Sequence, residues 1–141
     1  MAVHTNTAGT ITSFTPTSAA IKIDCIYAGD GYIEGITPEI NGGWETYTGP
    51  IETPSKLADY KAVFFHCTDA YPNSAIIADG ERILSIEQLI GVNTRITVAS
   101  NPLFCINGAD LDTNTINITT RRVTTGSTNK HFTYFQILGV R

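Results

Sequence analysis

The sequence predicts a single all-β domain built as an antiparallel β-sandwich. Three observations predict it. Thr and Ile are prominent, and both branch at Cβ, which suits pleated strands and costs rotamer freedom in helices. Apolar and polar residues alternate in several short runs, the period of a strand with one covered face. Turn-forming Gly, Pro, Asn and Asp recur at intervals of roughly 8–12 residues. At 141 residues the chain suits one hydrophobic core.

Residues 1–18 read as a leader or the end of a shaft segment, with a first strand over 10–15. Residues 19–141 read as the sandwich. In 19–26, Ile21, Ile23 and Cys25 share one face and Lys22 and Asp24 the other, which predicts a half-buried strand. Gly29-Asp30-Gly31 is a turn signal, and 29–56 is punctuated by Gly and Pro. Short strands are expected there around 32–36 and 45–51. A connection of this length with little regular structure is often a functional loop.

The run 59–68 is the strongest strand. Val63, Phe64 and Phe65 are apolar on both faces, the pattern of a central strand. A short strand at 75–78, a turn at Asp79-Gly80, and a strand or helical entry through 82–90 follow. Residues 94–99 alternate with Ile96 and Val98 inward, Arg95 and Thr97 outward. Asn107-Gly108 reads as a hairpin dipeptide. Ile116 and Ile118 alternate with Asn117 and Thr119, and 126–129 reads as a loop tip. The last run, 132–140, is apolar on both faces, so it belongs in the middle of a sheet or at a subunit interface. Eight to ten such strands make a sandwich or jelly roll.

Charge narrows the function. Charged residues are 16% of the chain, against about a quarter in an ordinary domain. Low charge density points to surface covered by a partner or by copies of the chain. With net charge −4 and no basic cluster beyond Arg121 and Arg122, nucleic acid and anionic membrane are excluded as partners. No apolar run reaches the roughly 18 residues of a membrane span, and the start lacks the features of a signal peptide.

Cys25, Cys67 and Cys105 are odd in number and widely spaced, which argues for free buried thiols rather than a disulfide framework. His66 and Cys67 are strand neighbours pointing to opposite faces, so they form no dyad. His4, His66 and His131 lack metal-ligand spacing. Asp110-x-Asp112-x-Asn114 echoes a calcium loop, but Thr115 and Arg121 stand where that loop has Gly and Glu. No nucleophile elbow or phosphate-binding loop occurs. No cofactor, metal or catalytic residue is expected.

Candidate ligand-binding residues gather where strand periodicity fails: Asp30, Tyr32, Trp44 and Tyr47 in the long loop, and Asp69, Tyr71 and Asn73 at a polar tip. Aromatic planes beside carboxylates suit sugars, and loops held by a sandwich are free to serve a partner. The competing account is that Trp44 and Tyr47 pin the loop to the sandwich, and that the Asp and Asn residues do ordinary turn chemistry.

Leu57-Ala58-Asp59-Tyr60-Lys61-Ala62-Val63-Phe64-Phe65 resembles a "Leu-x-Asp-Tyr" entry to a first central strand in the heads of tailed-bacteriophage fibres and minor tail proteins. Phe135-Gln136-Ile137-Leu138-Gly139-Val140-Arg141 is similar to their terminal "aromatic-x-Ile-x-Gly-Ile-Lys" ending, and Ile116-Asn117-Ile118-Thr119 to their penultimate strand. The resemblance covers 57–141. It implies a homotrimeric sandwich knob, jelly-roll or TNF-like, at the tip of a tail fibre or needle. Such a tip would be made in the bacterial cytoplasm and carried on the virion. There it would bind a host-surface glycan or protein without catalysis. The 29–56 region departs from the pattern, so no loop role carries over. Two other readings stand beside this one: a self-standing carbohydrate-binding module or lectin, and a hydrolase.

Overall fold

The computed structural model describes residues 2–5, 11–15, 20–70, 76–100, 103–123 and 132–141, with backbone alone for 2–5, 11–15, 69–70, 76–79, 123 and 132. Strands β1 (Ala2–Thr5) and β2 (Ile11–Thr15) pair antiparallel in a two-stranded sheet of their own. The predicted leader thus holds a strand as well as the one expected at 10–15.

Two antiparallel sheets form the sandwich. The first has the order β4 (Glu39–Asn41), β5 (Trp44–Glu52), β10 (Thr115–Val123), β9 (Leu103–Asp110), β8 (Ile96–Ser100). The second has the order β3 (Ile23–Gly29), β11 (Phe132–Val140), β6 (Ala62–Ala70), β7 (Ile76–Leu84). A 3-10 turn (Leu57–Asp59) and helix α1 (Ile86–Ile90) lie in two of the crossings between sheets. Ser85 caps α1 in a reciprocal box with Gln88, satisfying two orphan backbone donors.

The core sits between the sheets. Val63, Phe65 and Cys67 of β6 and Phe135 and Ile137 of β11 face Phe104 and Ile106 of β9 and Ile116 and Ile118 of β10. Phe104 bridges the layers, meeting Phe65 at 6.2 Å and Phe135 at 5.1 Å in edge-to-face contacts. Leu57 and Leu89, from the 3-10 turn and α1, are fully buried and belong to the same core. The two strands expected to be central, β6 and β11, are the two inner strands of the four-stranded sheet.

Four expectations need correction. No strand forms at 32–36. Gly31 and Gly35 have positive φ, and the segment between them turns so that Ile33 plugs into the core. Asp79-Gly80 is no turn, because β7 runs straight through it. Gly80 stands against the carbonyl oxygen of Val98 in β8, where a Cβ would overlap. Asn107-Gly108 is no hairpin either. The register of β9 on β10 slips by one residue there, and Gly108 takes φ 143°, so the pair makes a bulge inside β9. The turn comes later, between β9 and β10, where Asn114 adopts φ 52°. The fourth correction is the orientation of β3. Its apolar face, with Ile23 62% exposed and Cys25 exposed, points out, while Asp24 turns in. The thiol expectation therefore holds for Cys67 and Cys105, which are buried, and fails for Cys25.

Candidate functional site

Three groupings could carry function, and each is built by strand register. The first surrounds Arg122 at one end of the sandwich. Its guanidinium pairs with Glu45 at 3.0 Å and Asp30 at 3.3 Å. It also lies over the rings of Tyr32 and Tyr47, 5.4 and 6.0 Å from their centroids. The Tyr47 hydroxyl donates to Glu45 at 2.8 Å, and the two tyrosine rings meet edge to face at 5.5 Å. The loop is fastened further by Tyr27, whose hydroxyl accepts from the Gly31 amide at 3.0 Å and donates to the Tyr32 carbonyl at 2.8 Å. Thr120 donates to the Gly31 carbonyl at 2.6 Å from a buried position. Burial pushes the Tyr27 phenol up to about 12 and raises that of Tyr47 as well.

Asp30, Tyr32 and Tyr47 are thus brought together, but chiefly to hold the 30–36 loop. Tyr47 is only 2% exposed, so its ring is enclosed and the competing structural account applies to it. Asp30 and Tyr32 remain exposed at the rim. Asp69 lies in β6 with its side chain outside the described set, and Tyr71 and Asn73 lie outside the described residues.

Trp44 belongs elsewhere. It sits on the outer face of the five-stranded sheet, away from the Arg122 cluster, at the edge of a cleft of about 550 Å³. Glu39, Thr46 and Arg121 are cross-strand neighbours in that cleft, and Thr48 pairs with Thr119 in the next row. Arg121 donates from Nε to Thr46 Oγ1 at 3.3 Å and holds its guanidinium 5.9 Å from the Trp44 ring centre. The Thr119 hydroxyl accepts from Asn107 Nδ2 at 2.9 Å and lies 3.1 Å from that of Thr48. Arg95 lines the same cleft from the bend just before β8.

No family model, curated protein or solved structure matches the chain. Among the described residues no group of His, Cys, Asp and Glu gathers as metal ligands, and no helix is long and apolar enough to cross a membrane. In the calcium-like segment, Asn114 Oδ1 accepts from the Leu57 amide at 2.7 Å, and Asp110 Oδ1 accepts from the Asp112 amide at 2.9 Å. Those oxygens serve the turn. His66 stacks on Phe64 and lies 3.3 Å from the Thr68 hydroxyl, on the face opposite Cys67.

The third grouping is the outer face of the four-stranded sheet. Register aligns Cys25, Leu138, Phe64 and Ile83 in one row across all four strands. Ile23, Val140 and Ala62 form the next row. Ile83 is 68% exposed, and none of these residues carries charge.

Beside this face lies a polar lock. The Asp24 carboxylate accepts from the Tyr60 hydroxyl at 2.7 Å and from Ser55 at 3.1 Å, and it pairs with Arg141 Nε at 3.0 Å. The Tyr60 hydrogen bond, helped by Arg141 and Ser55 against partial desolvation, holds the Asp24 carboxyl below its ordinary value of 3.8. The Tyr60 ring lies flush on Gly139, where any Cβ would overlap it.

Sequence reasoning did not bring out Arg95, Thr46, Thr119 and Arg121 as a group. The signal was present, since Thr46 and Thr48 alternate in β5 and Asn117, Thr119 and Arg121 in β10. Only the strand order sets those polar edges side by side.

Proposed function

We propose that this chain is a non-enzymatic tip domain of a bacteriophage tail fibre or needle, assembled as a homotrimer and carried on the virion, where it meets the host surface. The observation that carries this reading is a pair of apolar rows on the outer face of the four-stranded sheet, centred on the C-terminal strand and bordered by a polar row of Gln136, His66 and Glu81. A row of Cys25, Leu138, Phe64 and Ile83 beside a row of Ile23, Val140 and Ala62 forms a continuous uncharged surface of the kind that marks an interface. A second copy is the natural occupant, because closed cyclic assembly hides the same patch on every subunit.

The resemblance rests on two main stretches of the chain. These, 57–65 and 135–141, are far apart in the chain yet touch, with Tyr60 seated on Gly139 and both Tyr60 and Arg141 bound to Asp24. An aromatic residue in one stretch and a glycine in the other thus belong to one packing unit. Light scattering at dilute concentration, combined with binding of the purified protein to host cells, tests the reading. A trimer that binds cells is expected. A monomer that binds no cells would overturn it.

A second reading, a self-standing carbohydrate-binding module or lectin, is favoured by the Trp44 cleft on the opposite sheet. It predicts a sugar-binding monomer, so the same mass measurement separates the two.

A further inference from the structure

We infer that the cleft on the outer face of the five-stranded sheet is a binding site for an acidic glycan, one whose sugar carries a carboxylate. The inference rests on the host-binding reading above and names its ligand class and its place. The cleft holds about 550 Å³, within the roughly 300–1,000 Å³ of small-ligand sites. Its charge runs against the molecule as a whole. The chain is −4 overall, yet the cleft is lined by two arginines, Arg95 and Arg121, and one acid, Glu39. Among the described residues neither arginine forms an ion pair with a carboxylate.

Arg122, one residue on, makes the contrast plain. It points to the inner side of the sheet and is held by two carboxylates, Asp30 and Glu45. Arg121 on the outer side has, among the described residues, a threonine hydroxyl at Nε and the Trp44 ring beside it. A guanidinium steadied in this way is preorganised for a carboxylate, since its planar fork matches the two oxygens. The rest of the lining fits a sugar. Trp44 supplies an aromatic surface for the C–H face of a pyranose. Thr46, Thr48 and Thr119 supply hydroxyls, with Thr119 held between the Asn107 amide and the Thr48 hydroxyl. Glu39 is placed to accept from sugar hydroxyls two strands away from Arg121.

Trp44 is the one tryptophan of the chain, so its fluorescence reports this cleft alone. The experiment titrates the full chain with galacturonic, glucuronic and sialic acid oligosaccharides, and with galactose and glucose oligosaccharides of the same length. At least one acidic sugar is expected to shift the Trp44 emission saturably, to bind roughly tenfold or more tightly than its neutral counterpart, and to weaken as salt is raised. Arg121→Gln is expected to abolish that preference with the fold intact by circular dichroism. Arg95→Gln, at an exposed position, gives the same readout should Arg121→Gln unfold the protein. No response to any sugar, equal affinity for acidic and neutral sugars, or an acidic preference that survives both substitutions would each overturn the inference. Mass and cell binding are measured on the same preparation. A cell-binding trimer that ignores acidic sugars sinks this site and leaves the tip-domain reading standing, whereas a sugar-binding monomer does the reverse.

Discussion

Gly139 shows how much one residue can determine. The Tyr60 ring occupies the space that a side chain at 139 would need. This seats the Tyr60 hydroxyl 2.7 Å from Asp24, which in turn holds Arg141. Gly139→Ala must displace that ring, and overpacking of this kind costs on the order of 1–3 kcal/mol. Urea unfolding should show a lowered midpoint, with Tyr60→Phe milder because it keeps the ring and loses only the hydroxyl's bonds to Asp24 and the Ser55 amide. The same carboxylate sets an acid limb of stability. Asp24 is depressed in the folded state, so its contribution is present above about pH 4 and disappears as pH falls through the folded value. The melting temperature should drop below pH 4, and Asp24→Asn should remove part of that slope. At the alkaline end, Tyr27, Tyr47 and Tyr60 are all raised, each chiefly by burial. Phenolate absorbance from these three should therefore be delayed past the ordinary phenol range, that of Tyr27 until pH nears about 12 or the fold opens.

Among the elements, β3 teaches most. Its alternation is legible in the residues, but the side that turns inward is that of Asp24 and Ile26, not that of Ile23 and Cys25. Hydrophobicity alone assigns Ile21, Ile23 and Cys25 to the core. The fold gives that place to Asp24, because Tyr60, Ser55 and Arg141 wait for it there. Those partners come from two distant segments, 55–60 and the last residue of the sequence, which no local pattern reveals. The misread dipeptides have a similar cause. Asn107-Gly108 and Asp79-Gly80 carry the residues of turns, and in both the glycine serves another need: a bulge in β9, and a close approach of β7 to the Val98 carbonyl. By contrast, β6, β10 and β11 declare themselves, because strong alternation or double-faced apolarity leaves a central strand as the consistent placement. The thiols test β3 directly. With a thiol reagent under native conditions, isolated chains should show one fast cysteine, Cys25, and two slow ones, Cys67 and Cys105. In the assembled protein Cys25 should also slow down, since it lies in the apolar row that a second copy would cover. Fast labelling of Cys25 in a proven oligomer would place the interface elsewhere.

At the scale of the molecule, the sandwich itself was legible from strand periodicity and turn spacing. The site was legible only in part. Asp30, Tyr32 and Tyr47 do come together, yet around Arg122, and mainly as a clasp for the loop. Trp44 stands apart from them on the other side of the sheet, among threonines and arginines whose grouping depends on strand order. The two faces of the sandwich also differ in kind. The outer side of the four-stranded sheet is apolar over its Cys25-to-Ile83 row, while that of the five-stranded sheet is polar and carries the cleft. In the proposed assembly the first face packs against neighbouring copies and the second stays open to the host. Ile83 is 68% exposed, so Ile83→Asp should leave the single chain folded while placing a charge in the interface. The measurement that bears most directly on this account is the mass of the species in solution, by light scattering at dilute concentration. The account predicts three times 15.2 kDa for the native protein and a folded species of 15.2 kDa for Ile83→Asp. A native protein that runs as a clean monomer would contradict it.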